Sequence, residues 1–318
     1  MYKHLAKHLI PPLISSPEFL VVGADCLVGR NLLEALERRG HDALGTTRRK
    51  ETLTSQRVYL DLQEHSNFHL PDGIGYVFVV AAVSKYDQCE QDPISKDINT
   101  NHIPSFVASL LEQGVFVTFI STNAVFGGEI PSPHEDASPD AKIPYAAQKQ
   151  EAETLIRSMA RRLGAESNFN IVRLTKVLSL GTSPLPQWLD AWKVQQPVEP
   201  FGDLIFAPVS ARYIGESLAT IGAKRVPGNL HLSGAADINY VDFANALAEK
   251  LGLDSRLVHP SSASAKQFKI PFKPRFSGLG MKRTTRLTGI QPQSLTGVAS
   301  QLVMEIGRTE YWPGLKST

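Results

Sequence analysis

The sequence predicts an α/β fold, a doubly wound parallel sheet followed by a smaller C-terminal lobe. Three observations carry this. Strand-like apolar runs alternate with amphipathic helical stretches from Glu18 to Leu174, the pattern of a sheet wound by crossover helices. Two of the runs, Tyr76 to Ala82 and Val115 to Ser121, are continuously apolar, as parallel strands covered on both faces are. After Thr175 the segments shorten and become richer in Pro, Gly and Ser. The expected division is an N-terminal extension over 1–17, the sheet domain over 18–175, and mainly the second lobe over 176–318, with about 203–234 returning to the first domain.

Each element has a local reason. Glu18 to Gly23 reads as the first buried strand. The next stretch predicts a helix with Leu32, Leu33 and Leu36 inward, a basic last turn at Arg38-Arg39 and Gly40 as its cap. Ala43 to Thr46 and Arg57 to Leu60 suit short strands. Phe106 to Gln113 reads as a helix between the two long apolar runs. Tyr145 to Leu163 is a long amphipathic helix built from good formers, and Phe169 to Leu174 is a sixth strand. Beyond it, Trp188 and Trp192 lie four apart on a helix, which suits core or interface packing better than base stacking. Asn229 to Leu232 suits a late strand. Asn239 caps a helix to about Leu251, with Asp242 in its first turn. Residues 260–293 read as loop-rich and basic.

Bulk properties narrow the function classes. The content of 42% hydrophobic and 20% charged residues is that of a globular protein. A net charge of +2 implies neither a nucleic-acid nor a membrane field. No apolar stretch is long enough to span a bilayer. Pro11-Pro12 interrupts the N-terminal apolar run and no small-residue cleavage site follows, so a signal peptide is not expected. Cys26 and Cys89 give no disulfide framework, which fits a reducing compartment, and a cytoplasmic location is expected. His4 and His8 are spaced as metal ligands on a helix would be, but no further cluster completes a site, so no metal is expected. Monomer and homodimer both stay open.

The first loop is Gly23-Ala-Asp-Cys26-Leu-Val-Gly29. A turn between a first strand and a helix aims backbone N–H groups and the helix N-terminus at a diphosphate. Gly23 permits the tight turn and Gly29 permits close helix–strand packing. The usual pattern is Gly-x-x-Gly-x-x-Gly, and here the middle position is Cys26, either a small apolar filler or a redox-sensitive thiol near a helix N-terminus. A βα turn without ligand is the alternative for the whole loop. The second strand ends in Thr46-Thr47-Arg48-Arg49-Lys50. An NAD enzyme usually carries an acid here for the ribose 2′-hydroxyl. Guanidinium groups instead pair with a 2′-phosphate, which favours NADP, with NAD left open. A solvated basic loop is the alternative. Asp61-Leu62 suits the adenine ring, or is a plain strand end. Cofactor contacts are thus expected at Gly23, Cys26, Leu27, Val28, Gly29, Thr47, Arg48, Arg49, Asp61, Leu62, Ala81, Ala82 and Lys149.

Tyr145 and Lys149 form this chain's only Tyr-x-x-x-Lys pair, and one helix face carries both. With 8 tyrosines such a pair arises readily by chance, so its context decides. An apolar run closes in Ser121-Thr122 upstream, a small-residue turn follows, and Tyr145 opens a long helix. A free phenol has a pKa of about 10, and a neighbouring ammonium is expected to lower it. Lys149 can also hold ribose hydroxyls, and Thr122 can orient a substrate oxygen. Together with the glycine loop, this suits a carbonyl reductase in which the phenol gives a proton while a nicotinamide gives hydride. An i,i+4 surface pair is the alternative.

On these residues the chain resembles the extended branch of the short-chain dehydrogenase/reductase superfamily, and is most similar to the dTDP-4-dehydrorhamnose reductases and their sugar-nucleotide relatives. The resemblance runs from about Phe19 to about Leu302. Phe119-Ile-Ser-Thr-Asn-Ala-Val-Phe-Gly127 resembles that group's Ser-Thr-Asp-Tyr-Val-Phe strand. Asp87, Glu90 and Pro93 resemble its Val-Asp-x-x-Glu-x-x-Pro stretch, Ile171 to Thr175 its sixth strand, and Gly228 to Ser233 with Phe243-Ala244 its later elements. The resemblance implies a Rossmann domain, a substrate-binding lobe, and Thr122, Tyr145 and Lys149 as the catalytic residues. It also implies that Asn99 supports the active-site helix and a proton relay.

Departures bear on the substrate. Asn123 stands where the group has Asp, Ala124 where it has Tyr, and Lys176 where it has Trp. The latter two positions help shape its sugar pocket. Substrate contacts are expected from Thr122, Asn123, Ala124, Lys176 and Arg275, with Lys176 facing either an anionic group or solvent. Arg275 belongs to a basic stretch from Lys266 to Arg286 that suits a substrate diphosphate or is simply a solvated face. The function read from this is an NADP-dependent reductase of a keto group on a nucleotide-linked sugar. An epimerase or dehydratase of the same fold and a non-catalytic NADP-binding regulatory subunit are the rivals.

Overall fold

A seven-stranded parallel sheet is the frame of the computed structural model, which describes residues 17–308. Residues 1–16 of the N-terminal extension, His4 and His8 among them, lie outside the described residues. The chain runs β1 (Phe19–Val22), α1 (Leu27–Arg38), β2 (Ala43–Thr47), β3 (Arg57–Tyr59), β4 (Tyr76–Val79), α2 (Tyr86–Gln91), α3 (Pro93–Asp97), α4 (Ile103–Glu112), β5 (Phe116–Thr122), α5 (Pro144–Arg162) and β6 (Phe169–Leu174). It continues through β7 (Lys176–Leu178), α6 (Leu185–Lys193), β8 (Ile205–Phe206), β9 (Pro208–Ser210), α7 (Ala211–Lys224), β10 (Gly228–Leu232), β11 (Ile238–Asn239), α8 (Tyr240–Lys250), α9 (Lys282–Thr288) and α10 (Leu295–Gly307).

The sheet order is β3-β2-β1-β4-β5-β6-β10, and every pair is parallel. Strand order reverses between β1 and β4, so a crevice opens at their carboxyl ends, the usual ligand position of this architecture. Every residue of β1, β4, β5 and β6 is buried. One face packs Leu32, Leu36, Ile214 and Leu218 of α1 and α7 onto Phe19, Val21 and Phe78. The other packs Phe106, Leu110 and Ile156 of α4 and α5 onto Leu20, Val77 and Ile171. A separate core joins α6, α8 and α10 around Trp188, Trp192, Phe206 and Phe243. The two tryptophans are therefore core, and the Trp192 indole N–H donates to the Leu257 carbonyl at 3.2 Å.

Three elements differ from the sequence pattern. The apolar run from Tyr76 leaves the sheet after Val79, where the Val80 and Ala81 amides both donate to the Val22 carbonyl. Residues 80–87 line a cleft instead of extending the strand. A wide helical turn over Ile98–His102 leads into α4, which begins at Ile103, ahead of the expected start. Within the basic loop stretch lies α9, which turns Thr284 and Thr288 inward and leaves Leu287 exposed. Its buried face is made of hydroxyls, so it carries no apolar period. No helix among the described residues is long and apolar enough to cross a membrane.

Candidate active site

A cleft of about 1500 Å³ lies along the carboxyl ends of β1, β2, β4, β5 and β6, roofed by residues 204–206, Tyr240, residues 270–274 and Ser277. At one end, Gly23 adopts φ +91°, and a side chain there would place its Cβ 2.7 Å from the Ala81 backbone nitrogen. A Cβ on Gly29 would lie 2.3 Å from the Gly23 carbonyl oxygen. Both positions therefore need glycine, one for its dihedral and both for close approach. Leu27 and Val28 line the cleft, and their first-turn amides have no intrahelical acceptor. This arrangement fits an anion such as a diphosphate. Cys26 carries a free, exposed thiol and is the N-cap of α1, with Sγ accepting from the Gly29 amide at 3.3 Å.

The end of β2 holds a cluster that sequence reading missed. The Asp25 carboxylate accepts from the Thr47 hydroxyl at 2.7 Å and lies 3.1 Å from guanidinium nitrogens of both Arg49 and Arg57. Burial raises the Asp25 carboxyl, but these partners outweigh it and hold it below the usual range. Arg48 is exposed on the cleft wall, with no hydrogen-bond or ion-pair partner among the described residues. Asp61, Leu62, Ala81 and Ala82 line the same stretch, and Asp61 caps a short helical turn by accepting from the Gln63 amide.

At the other end, Thr122, Tyr145 and Lys149 open onto the cleft together. Thr122 ends β5, its hydroxyl accepting from the Ala124 amide at 3.2 Å. Tyr145 sits in the first turn of α5, its ring 5.5 Å from that of Tyr86. Burial pushes the phenol up, the Tyr86 phenol and Cys89 add to this, and Thr122 opposes it. Lys149 is buried and donates to the Ile120 carbonyl at 2.6 Å. Burial brings its ammonium down to about 8, against the pull of Glu153 and Cys89. The expected lowering of the Tyr145 phenol by Lys149 is absent, because the ammonium is committed to the strand and desolvation dominates.

A buried ion pair sets this geometry. Glu153, one turn beyond Lys149, binds Arg173 of β6 through two bonds of 2.9 and 2.7 Å and accepts from the Ser121 hydroxyl at 2.6 Å. Asn99 does not line the cleft. It is buried, exchanges two bonds with the Val83 backbone, and donates to Gln148 of α5 at 2.8 Å. It thereby ties α5 to the Val83 segment.

The remaining expectations divide. Asn123 lines the cleft, but its amide is bound to the Ser277 carbonyl and hydroxyl. Ala124 is 2% exposed and lies behind the wall, since a short turn folds it inward. Arg275 faces solvent over the Phe276 ring, and Lys273 lines the cleft in its place, ion-paired to Asp203. Lys176 lines the cleft without a hydrogen-bond or ion-pair partner among the described residues, and partial desolvation pulls its ammonium down.

A family profile described as RmlD substrate binding domain matches residues 18–306. The spore coat polysaccharide biosynthesis protein SpsK of Bacillus subtilis is 26% identical over 280 residues, covering 86% of this chain and 92% of that protein. The dTDP-4-dehydrorhamnose reductase of Bacillus anthracis in complex with NADP superposes with a TM-score of 0.75 at 20% identity, over 91% of this chain and 99% of that one. MoeE5 in complex with UDP-glucuronic acid and NAD gives 0.73 at 21% identity, over 92% and 99%. At those identities the two structures establish a shared fold.

Proposed function

This chain belongs to the RmlD substrate binding domain family, and with it to the NAD(P)-dependent oxidoreductases of the extended short-chain dehydrogenase/reductase type, and on that premise we propose that it reduces a keto group on a nucleotide-linked sugar, with NADPH as reductant and NADH able to enter the same site. One observation carries this reading. The Tyr145, Lys149 and Thr122 side chains open onto the same cleft as the Gly23–Gly29 loop.

A bound nicotinamide dinucleotide would supply hydride to the carbonyl carbon. The first-turn amides of α1 and the Arg48 and Arg49 guanidinium groups would hold its phosphates. Thr122 holds the substrate oxygen by hydrogen bonding. Tyr145 gives that oxygen its proton, and burial keeps the phenol protonated until a base of matching strength arrives. Lys149 has two N–H groups left beyond its bond to Ile120, enough to hold ribose hydroxyls and to stabilise the phenolate left behind. Asn99 acts at one remove, by holding α5 against the Val83 segment.

Lys176 is the candidate reader of an anionic group on the sugar. It suits this that MoeE5 was crystallised with UDP-glucuronic acid, whose sugar bears a carboxylate. The name of SpsK, a polysaccharide biosynthesis protein, likewise suits an activated sugar as substrate.

The test is consumption of NADPH with a panel of keto-sugar nucleotides, some carrying a sugar carboxylate. Substrate-dependent oxidation is expected. Binding of NADPH with no turnover of any member would replace this reading with a regulatory subunit. Oxidised cofactor retained through purification, with sugar interconversion but no net NADPH consumption, would replace it with an epimerase or dehydratase.

A further inference from the structure

We infer that Asp25 sets the choice between the two nicotinamide cofactors, by bringing to the end of β2 a carboxylate that competes with a 2′-phosphate for Arg49. This rests on the dinucleotide reading of the cleft, though not on sugar reduction.

An acid at the end of the second strand marks a site for a ribose 2′-hydroxyl. β2 itself supplies none, since it ends in Thr46-Thr47 and runs on into Arg48-Arg49. The fold delivers the acid from another segment. Asp25 belongs to the phosphate loop, yet one carboxylate oxygen accepts a hydrogen bond from the Thr47 hydroxyl at 2.7 Å. The other lies 3.1 Å from Nη2 of Arg49 and 3.1 Å from Nη1 of Arg57. The Arg49 amide donates to the same Thr47 hydroxyl at 3.0 Å, so strand end, loop acid and arginine form one unit.

The consequence for a ligand comes from charge. A 2′-hydroxyl can donate to Asp25 while both ion pairs stay intact. A 2′-phosphate must share the Arg49 guanidinium with Asp25, and sits beside a carboxylate that Arg57 also holds. Arg48, on the cleft wall, has no hydrogen-bond or ion-pair partner among the described residues to lose. The attraction of Arg48 and Arg49 for the phosphate is thus largely offset by the neighbouring carboxylate, and the site accepts both cofactors. Because these groups are part-exposed, the expected discrimination due to Asp25 is modest, about tenfold, as for two screened ion pairs.

The experiment is direct binding to the full-length protein, by calorimetry or nucleotide fluorescence, of NADPH and NADH, and of 2′,5′-ADP against 5′-AMP. The native protein is expected to bind NADPH and NADH within about tenfold of each other, and Asp25→Asn to move the ratio about tenfold toward NADPH. The 2′,5′-ADP to 5′-AMP ratio should move in parallel, because those fragments report the adenosine half alone. Arg57→Gln, at the far side of the same carboxylate, should weaken NADPH and leave NADH unchanged. Native binding of NADPH more than about a hundredfold tighter than NADH would overturn the inference, as would Asp25→Asn shifting both cofactors equally. Binding of neither dinucleotide removes the cofactor site and the inference with it. Binding of both without keto-sugar turnover leaves the role of Asp25 standing and removes only the reductase reading.

Discussion

The Lys149 ammonium donates to the Ile120 carbonyl oxygen at 2.6 Å and lies 4.2 Å above the centre of the Phe119 ring, so it is tied to β5 and not to the Tyr145 phenol. Helix α5 and strand β5 are thereby clamped together beside the cleft that Thr122 and Tyr145 line. The lysine is held in a desolvated slot, and the phenol keeps its proton.

If Tyr145 is the acid, Tyr145→Phe should lower kcat by about 10²- to 10⁴-fold, the usual worth of a positioned proton donor. Binding of NADPH should stay unchanged, because the phenyl ring still fills the wall beside Tyr86. Unaltered turnover would remove Tyr145 from that role.

The pH dependence should carry the mark of Lys149. Its ammonium is charged below about 8 and neutral above. In the free enzyme, kcat/KM should fall as pH rises through about 8, and Lys149→Met should lose that limb. Stability should move the other way. The folded value lies below the unfolded one, so the buried charge is unfavourable below about 8 and the cost is relieved as pH rises toward 10.5. Denaturation midpoints of native protein and Lys149→Met, measured across this range, should therefore converge at high pH.

Glu153→Gln should destabilise the fold by about 3–5 kcal/mol, because it leaves the buried Arg173 guanidinium without its carboxylate. Replacing both, Glu153→Leu with Arg173→Met, should recover much of the loss in chemical denaturation. The single variant should also shift the pH limb below 8, since the Glu153 carboxylate holds the Lys149 ammonium up. A limb that stays in place would separate Glu153 from the reacting groups.

Lys176→Gln should raise KM by about tenfold for keto-sugar nucleotides with an anionic sugar, the worth of one charge-assisted hydrogen bond, and leave neutral ones unaffected. Equal effects on both classes would make Lys176 a solvated lysine at the rim.

Strand and helix positions were legible from local pattern. The apolar runs that became β1, β5 and β6 hold four, seven and six consecutive buried residues, and Asn239-x-x-Asp242 closes the capping box at the start of α8. α9 was not legible, because it buries the Thr284 hydroxyl against Glu135 and the His231 amide, partners far away in the chain. Arg275 and Lys273 look alike as letters in a basic stretch, and only the path of the chain past Pro274 turns one outward and the other into the cleft.

By itself the sequence determined the wound sheet, the glycine turn and the placing of Tyr145 and Lys149 on one helix face, since each depends on periodicity, backbone freedom or i,i+4 spacing, which act over a few residues. Tertiary structure alone decided which charges meet. Asp25 reaches Arg57 across 32 positions and Glu153 reaches Arg173 across 20, and such contacts depend on strand order and helix placement that no local pattern contains. Ionisation at the site obeys the same division, because desolvation and neighbouring charge exist only once distant segments have closed around a group.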